Sequence, residues 1–324
     1  MTMSALIVAA SCFSVYRISK EKNAFKLEDI ENYTGTYKET NIGYILNIYA
    51  EMFSPGKLSD WDSYEKTSEG RYEITLNQSD VIDLFSRLKS GIPAGPVTSP
   101  DVEKLKVTIE DRVLSYPIDY KTRLFKYNLF NKETRYDVNK FNQAKEEIEE
   151  LPASAIIDCG MYFRNSVELK DFLVLQQTMP DSIFTYIYTH DMEDFMRSEN
   201  ASSGTKYFGF AMLDSFSLTV YEPVYENIDL FNLYRFDDGK RFESDAVTSH
   251  CCNCLEILLN CGLIFEENNF TERMKLIQKD IENNGISVIA FRACLTKDDA
   301  LKLLEDEKIC HVTIADVKIS KYAE

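Results

Sequence analysis

The sequence predicts an α+β fold with two α/β sandwich-like modules, each a mixed sheet with helices on one face, after a short apolar helix at the N-terminus. Two observations support this class. Between Thr271 and Ser320 the apolar residues follow a helix, strand, helix, strand order, which predicts helices packed on a sheet. The length of 324 residues exceeds that of one ordinary domain. We therefore predict an apolar segment at 1–22, a first domain at 23–150 and a second domain at 151–324.

The chain begins with a run of apolar or small residues, Met1–Tyr16, that carries no charge. The run is shorter than the roughly 20 residues of a membrane-spanning helix and has the length of a signal-peptide core. A membrane helix, a cleaved signal and an ordinary buried element all stay open, and we predict a membrane contact near Met1–Tyr16. The first charges, Arg17, Lys20 and Lys22, follow the run, so charge bias alone places the remainder in the cytoplasm.

In the middle of the chain, stretches with the two-residue period of a strand alternate with stretches that have the period of a helix. Strands are predicted at Gly43–Met52, Gly70–Asn77, Leu105–Ile109, Thr122–Phe130, Ala155–Phe163, Ile183–Thr189 and Tyr207–Leu213. Helices are predicted at Val81–Lys89, Asn139–Glu150 and Glu168–Gln177. Leu151-Pro152 follows the second of these helices, and the residue before a proline avoids the helical conformation. We place the domain boundary there.

The C-terminal stretch carries the clearest pattern. After Asn284-Gly285, the β-branched run Ile286–Phe291 predicts a buried strand. Thr296 is a suitable N-cap for a helix whose first turn holds Asp298 and Asp299, where the helix dipole favours negative charge. The buried stripe of this helix is predicted to be Ala300, Leu301, Leu303 and Leu304.

The last strand is predicted at Cys310–Ile319, where apolar residues return to a period of two. The alternation slips by one residue at Ala315-Asp316, as a β-bulge would make it. Two helices are predicted upstream, at His250–Cys261 and Thr271–Asn283. The second of them ends at Asn-Gly, a pair that tolerates positive φ.

Charge restricts the partners of this chain. With 36 Lys and Arg against 53 Asp and Glu, the formal charge is −17, which repels nucleic-acid phosphates. We predict a protein partner and no nucleic acid. Aromatic and acidic residues alternate between Ser217 and Phe242, which suits an exposed partner-binding patch, although core packing at a sheet edge explains the same composition.

A cysteine-rich helix holds the candidate metal ligands. Cys251 and Cys254 have C-x-x-C spacing, and His250 and Cys261 are further ligands of the kind that zinc prefers. The three cysteines also fall at helical spacing, where a free cysteine packs as a small hydrophobe. Because the sequence has no second C-x-x-C pair, we predict that these four residues belong to the helix and bind no metal.

Catalysis has little support in the sequence. The chain has three histidines, His190, His250 and His311, and no G-x-S-x-G, P-loop, G-x-G-x-x-G or H-E-x-x-H pattern. His190-Asp191 permits an acid–base pair, but such neighbours are expected by chance among 53 acidic residues. We predict no catalytic residue, no cofactor and no enzymatic activity. A polar cleft that gathers His190 with acidic side chains would contradict this prediction.

Three segments carry a resemblance to a known family. The first is the C-terminal order of two helices, Asn-Gly, an apolar strand, a T-x-x-x-A-L-x-L-L helix from Thr296 and a V-x-I-x-D-V-K strand from Val312. The second is Leu151–Ile156, followed by a strand at Met161 to Arg164 and the Val167–Phe172 segment. The third is Pro55-Gly56 with Gly-Arg-Tyr-Glu-Ile from Gly70. In this order they resemble the sigma factor regulator family.

The resemblance implies a membrane-anchored regulator of the anti-sigma-factor type. It implies an anchor at 1–22, a membrane-proximal domain at 23–150 and an extracytoplasmic regulator domain at 151–324, with most of the chain outside the cytoplasm. The partner it implies is a sigma factor or a companion regulator. No sigma-binding segment precedes Met1 in the printed sequence, so we assign sigma binding to no residue. The alternative is a soluble cytoplasmic acidic protein, a binding or inhibitor protein with no membrane role.

Overall fold

The computed structural model describes residues 25–27, 38–89, 103–116, 137–191, 207–212, 244–266 and 269–319. Within these ranges the chain forms seven helices and two five-stranded sheets, and the predicted α+β class is confirmed. The predicted strand at Thr122–Phe130, the aromatic stretch from Ser217 to Phe242 and the Met1–Tyr16 segment lie outside the described residues.

The helices and strands alternate along the chain. The strands are β1 (Lys57–Ser68), β2 (Arg71–Asp80), β3 (Glu103–Glu110), β4 (Val113–Ser115), β5 (Ala155–Glu168), β6 (Ile183–Asp191), β7 (Tyr207–Ala211), β8 (Ile264–Phe265), β9 (Ser287–Thr296) and β10 (Ile309–Ile319). The helices are α1 (Lys38–Phe53), α2 (Val81–Lys89), α3 (Val138–Glu150), α4 (Leu169–Gln177), α5 (Ser244–Asn260), α6 (Phe270–Asn284) and α7 (Lys297–Leu304).

The two sheets differ in strand direction. The first has the order β1-β2-β3-β4-β8, and its strands are antiparallel except for the parallel pair β4 and β8. The second has the order β10-β5-β9-β6-β7 and is antiparallel throughout. Strand β9 is therefore the central strand of the second sheet.

The segment at Gly43–Met52 is helical, so the strand predicted there is wrong. Helix α1 is buried at nearly every position whose side chain is described, including Ile42, Ile45, Ile48 and Met52. A helix that is buried all round shows no clear apolar period, so a short part of it also matches an alternating strand. The 16-residue length of the element favours the helix.

The C-terminal elements follow the sequence closely. Thr296 caps α7, because its Oγ1 accepts a hydrogen bond from the Asp299 backbone N–H at 3.3 Å. The predicted bulge in β10 is confirmed, because its register with β5 shifts between Ile314 and Asp316. Helix α5 begins at Ser244, six residues before the predicted start at His250.

The second sheet is covered on both faces. On one face, Phe172 of α4 contacts the rings of Phe163, Phe184 and Phe291, with ring centroids 5.5–6.4 Å from its own. On the other face, α2 packs against Ile156 of β5 and Cys294 of β9, with Val81, Ile82 and Phe85 buried in the contact. Helix α2 thus adds a layer that comes from upstream of residue 150.

The apolar core is continuous across the predicted boundary at residue 150. Tyr49 of α1 stacks on Phe265 of β8 with ring centroids 5.1 Å apart, and Phe53 meets Phe208 of β7 at 6.0 Å. Strand β8 pairs with β4, so the first sheet contains residues from both sides of the boundary. The division into two domains stays a prediction.

Among the residues that the structure describes, no helix is both long enough and apolar enough to cross a bilayer.

Candidate functional site

A buried ion pair lies at the centre of the second sheet. Arg292 of β9 and Asp158 of β5 are 5% and 3% exposed, far below the usual exposure of charged residues. The guanidinium binds the carboxylate through two hydrogen bonds, Nε to Oδ1 at 2.8 Å and Nη2 to Oδ2 at 2.5 Å. Such a bidentate arrangement is the strong form of this contact.

The register of the sheet places the two side chains together. Arg292 lies opposite Gly160 in β5, and Asp158, two residues away on the same face, lies opposite Cys294. Glycine has no side chain, so the guanidinium has room to turn along the sheet toward the carboxylate. The two charges form a diagonal pair across neighbouring strands.

A turn from the first part of the chain closes over the guanidinium. Arg292 Nη1 donates a hydrogen bond to the backbone carbonyl of Pro55, in the turn between α1 and β1. Gly56 has φ +76°, and a Cβ on it would lie only 2.2 Å from Arg292 Cζ. Only glycine allows both this backbone conformation and this close approach.

A second side chain of the same sheet also reaches α1. The hydroxyl of Tyr186, which lies opposite Arg292 in β6, donates a hydrogen bond to the Met52 carbonyl. Carbonyls in the last turn of a helix have no partner within the helix. Tyr186 and Arg292 therefore bind the C-terminal end of α1 from the sheet, and the positive charge of Arg292 also suits the helix dipole.

Burial is the main cause of the pKa shifts around the ion pair. Burial lowers the pKa of Arg292, but its hydrogen bond with Asp158 and the charge of that carboxylate outweigh this effect, so the pKa is raised overall. Burial, and then the Asp158 charge, raise the pKa of the Cys159 and Cys294 thiols. Both thiols are therefore protonated near neutral pH and are poor nucleophiles.

His190 pairs with Asp280 of α6. Its Nε2 lies 3.1 Å from Asp280 Oδ2, and its Nδ1 lies 2.8 Å from Thr189 Oγ1 in the same strand. The other oxygen of Asp280 accepts a hydrogen bond from Asn284 at 2.7 Å. The contact at Nε2 joins β6 to α6, and both ring nitrogens of His190 have a polar neighbour.

The four candidate metal ligands lie along the inner side of α5 and the residue after it. Cys251, Cys254 and Cys261 are at most 5% exposed and belong to the apolar core. His250 Nε2 lies 3.5 Å from Cys254 Sγ, one helical turn away. Within the described ranges, no group of three or more His, Cys, Asp or Glu side chains is arranged to hold a metal ion.

Burial changes the pKa of the titratable groups along this helix. It lowers the pKa of His250 to about 4 and raises that of Cys261 to about 11. Both side chains are thus uncharged near neutral pH. An uncharged thiol is a weaker metal ligand than a thiolate, so this environment opposes the binding of zinc.

Sequence reasoning missed the Asp158–Arg292 pair. The signal that could have found it is one acidic and one basic residue, each inside an apolar strand pattern, at Ile156–Cys159 and Ala290–Cys294. Charges are rarely buried without a partner, so two such strands of opposite charge predict a pairing. The contribution of the Pro55-Gly56 turn has no equivalent signal, because it depends on tertiary packing.

Comparisons with protein-family models, with curated proteins and with solved structures gave no match to this chain.

Proposed function

We propose that this chain is a non-enzymatic regulatory protein, similar to the extracytoplasmic part of a membrane-anchored anti-sigma factor. In this role it binds another protein and thereby controls sigma-factor-dependent transcription. Its partner is a sigma factor or a companion regulator, and Met1–Tyr16 supplies the membrane contact.

The observation that carries the proposal is that the parts of the chain that bear the resembling segments are joined at one point. Pro55 and Gly56 belong to the membrane-proximal segment, Asp158 lies two residues after Leu151–Ile156, and Arg292 directly follows the Ile286–Phe291 run. Arg292 binds the carbonyl of a proline that is 237 residues away. The membrane-proximal part and the C-terminal part are thus connected, as a single regulatory unit would require.

The chemistry of the described side chains also favours binding over bond-making. The Cys159 and Cys294 thiols are buried and have raised pKa values, so neither is prepared for nucleophilic attack. Both ring nitrogens of His190 lie at hydrogen-bond distance from a side chain, Nδ1 from Thr189 in the same strand and Nε2 from Asp280 in α6. These groups contribute to packing and to the connection of β6 with α6.

Labelling in intact cells separates the proposal from the cytoplasmic alternative. Glu146 is exposed on α3, so a Glu146→Cys variant presents a thiol to solvent. We expect the full-length variant to sediment with membranes and to react with a membrane-impermeant maleimide before lysis. The parent chain, treated in the same way, measures the reaction of its native thiols. Recovery in the soluble fraction, with labelling only after lysis, would support the alternative.

A further inference from the structure

The α1–β1 turn, Ser54–Gly56, connects four elements of the fold. Ser54 N–H donates to the Ala50 carbonyl at 2.7 Å, and Lys57 N–H donates to the Ser54 carbonyl at 3.1 Å. The Gly56 carbonyl accepts from Val81 N–H, the first residue of α2, at 3.0 Å. The turn therefore joins the end of α1, the start of β1 and the start of α2, and Arg292 attaches it to β9.

The attachment depends on a buried charge. Taking an ion out of water costs several kcal/mol, and a paired ion recovers this cost only when its contacts are complete. Asp158 and Pro55 accept hydrogen bonds from the guanidinium at Nε, Nη2 and Nη1. When the turn moves away, water reaches the ion pair, and hydration of the two charges offsets part of the lost contact.

This compensation makes the turn the easiest part of the contact to open. Separation of β5 from β9 would break a ladder of backbone hydrogen bonds. The free energy lost in this way is larger than the gain from hydrating one ion pair. Movement of the turn breaks the Pro55 contact and exposes charges that water stabilises. Local opening of this kind costs less free energy than global unfolding.

We propose that Asp158, Arg292, Pro55 and Gly56 form a latch that holds the α1–β1 turn on the second sheet. The turn opens from the sheet as a local unit while the sheet stays folded. A regulatory use of the latch rests on the proposed function, in which α1 is the first described helix after the membrane segment. Opening would then release the turn from the second sheet, while the Tyr186–Met52 and Phe53–Phe208 contacts still hold the end of α1.

Hydrogen exchange at single amides tests the latch. The amides of Ser54, Lys57 and Val81 report on the turn, and the Arg164 amide, which donates to the Lys308 carbonyl at 2.7 Å, reports on the second sheet. In a Gly56→Ala variant the new Cβ would displace the turn from Arg292. We expect exchange at the three turn amides to be at least about tenfold faster and exchange at Arg164 to be unchanged.

Gly285→Ala is the matched control. Gly285 has φ +73°, close to that of Gly56, but a Cβ there would meet nothing within 4 Å. The control therefore adds a side chain at a similar positive φ without a steric contact. We expect the turn amides of this variant to exchange at the same rate as in the parent chain. If exchange were accelerated equally in both variants, the proposal would be overturned.

A double variant tests the latch if Gly56→Ala does not fold. Asp158→Leu with Arg292→Met replaces both charges by apolar side chains, an exchange that often keeps or raises stability. It also removes the donor to Pro55, so we expect the turn amides to exchange faster in a protein that is no less stable than the parent. Protected turn amides in this variant, or uniform acceleration across the second sheet, would overturn the latch.

The exchange experiment and the labelling experiment fail independently. If labelling shows a cytoplasmic location, the proposed function is contradicted and the hydrogen-exchange result still stands. If the turn amides stay protected, the latch is contradicted and the labelling result still stands.

Discussion

At the scale of single residues, Arg292 is a buried charge with contacts to two distant parts of the chain. It binds Asp158 through two nitrogens, and it lies against Gly56, where no other residue would fit without displacement. Loss of Asp158 therefore affects the second sheet, whereas loss of the Gly56 contact affects the α1–β1 turn.

Replacement of Asp158 leaves the guanidinium without its counter-charge. We expect Asp158→Asn to lower the free energy of unfolding by about 3–5 kcal/mol, the usual cost of removing one partner of a buried pair. Urea denaturation measures this change. Glu73→Gln is the control, because it replaces a carboxylate that binds Lys106 on the exposed face of the first sheet. We expect no measurable decrease in the free energy of unfolding for Glu73→Gln. Equal decreases in both variants would contradict the prediction.

His250 makes stability depend on pH. Burial lowers its pKa to about 4 in the folded chain, against an ordinary value of 6.5. The unfolded chain therefore binds a proton that the folded chain does not, and stability falls as pH decreases from about 6.5 toward 4. Burial also lowers the pKa of His190, so its contribution has the same sign.

A His250→Asn variant isolates this contribution. We expect its free energy of unfolding to vary less steeply with pH between about 6.5 and 4 than that of the parent chain, with the difference approaching 3 kcal/mol at the acid end. Carboxylates titrate in both proteins, so their contribution to the pH dependence of the free energy of unfolding cancels in the comparison. Parallel pH profiles would show that folding does not lower the pKa of His250, and they would contradict this prediction.

At the scale of elements, local signals determined what could be predicted. Thr296, Asp298 and Asp299 define the start of α7 within four residues, and the slip at Ala315-Asp316 places the bulge in β10. These features depend on neighbours in sequence, so the sequence alone suffices. The strand predicted at Gly43–Met52 failed because a short apolar run fits both periods, and packing against two sheets selected the helix.

The candidate site could be predicted only in part for the same reason. Asp158 and Arg292 are 134 residues apart, and only the register of β5 with β9 brings them together. The contact between His190 and Asp280 likewise joins residues 90 positions apart. The cysteine stripe of α5 was predictable, because its spacing lies within one helix.

The close approach of β7 to β6 gives an element-scale prediction. A Cβ on Gly209 would lie 1.9 Å from the Ile187 carbonyl oxygen, so Gly209→Ala forces the two strands apart. We expect a loss of about 1–3 kcal/mol in the free energy of unfolding, the range for overpacking. Ala211→Gly, on the same strand, should cost only about 0.5–1 kcal/mol. Urea denaturation of both variants checks the difference, and a smaller loss for Gly209→Ala would contradict it.

At the scale of the whole molecule, the continuous core predicts one cooperative unfolding transition. Trp61, the only tryptophan of the chain, lies in β1 and reports on the first sheet by fluorescence. Cys159 and Cys294 are buried in the second sheet and react with an alkylating reagent only when it opens. We expect the two urea transitions to coincide, as two-state unfolding requires. Separate midpoints would favour independent domains divided near residue 150.

The net charge of −17 acts at the same scale. Such a field favours partners with a basic surface and disfavours nucleic acids. It is consistent with a regulator that acts through protein contact.

The central proposal is that this chain controls sigma-factor-dependent transcription through protein contact, and transcript profiling of a deletion strain tests it most directly. We predict that deletion of the gene in its own organism raises transcripts from the promoters of one sigma factor. Re-expression of the parent chain should restore control. An unchanged transcript profile, or changes spread over promoters of unrelated sigma factors, would contradict the claim.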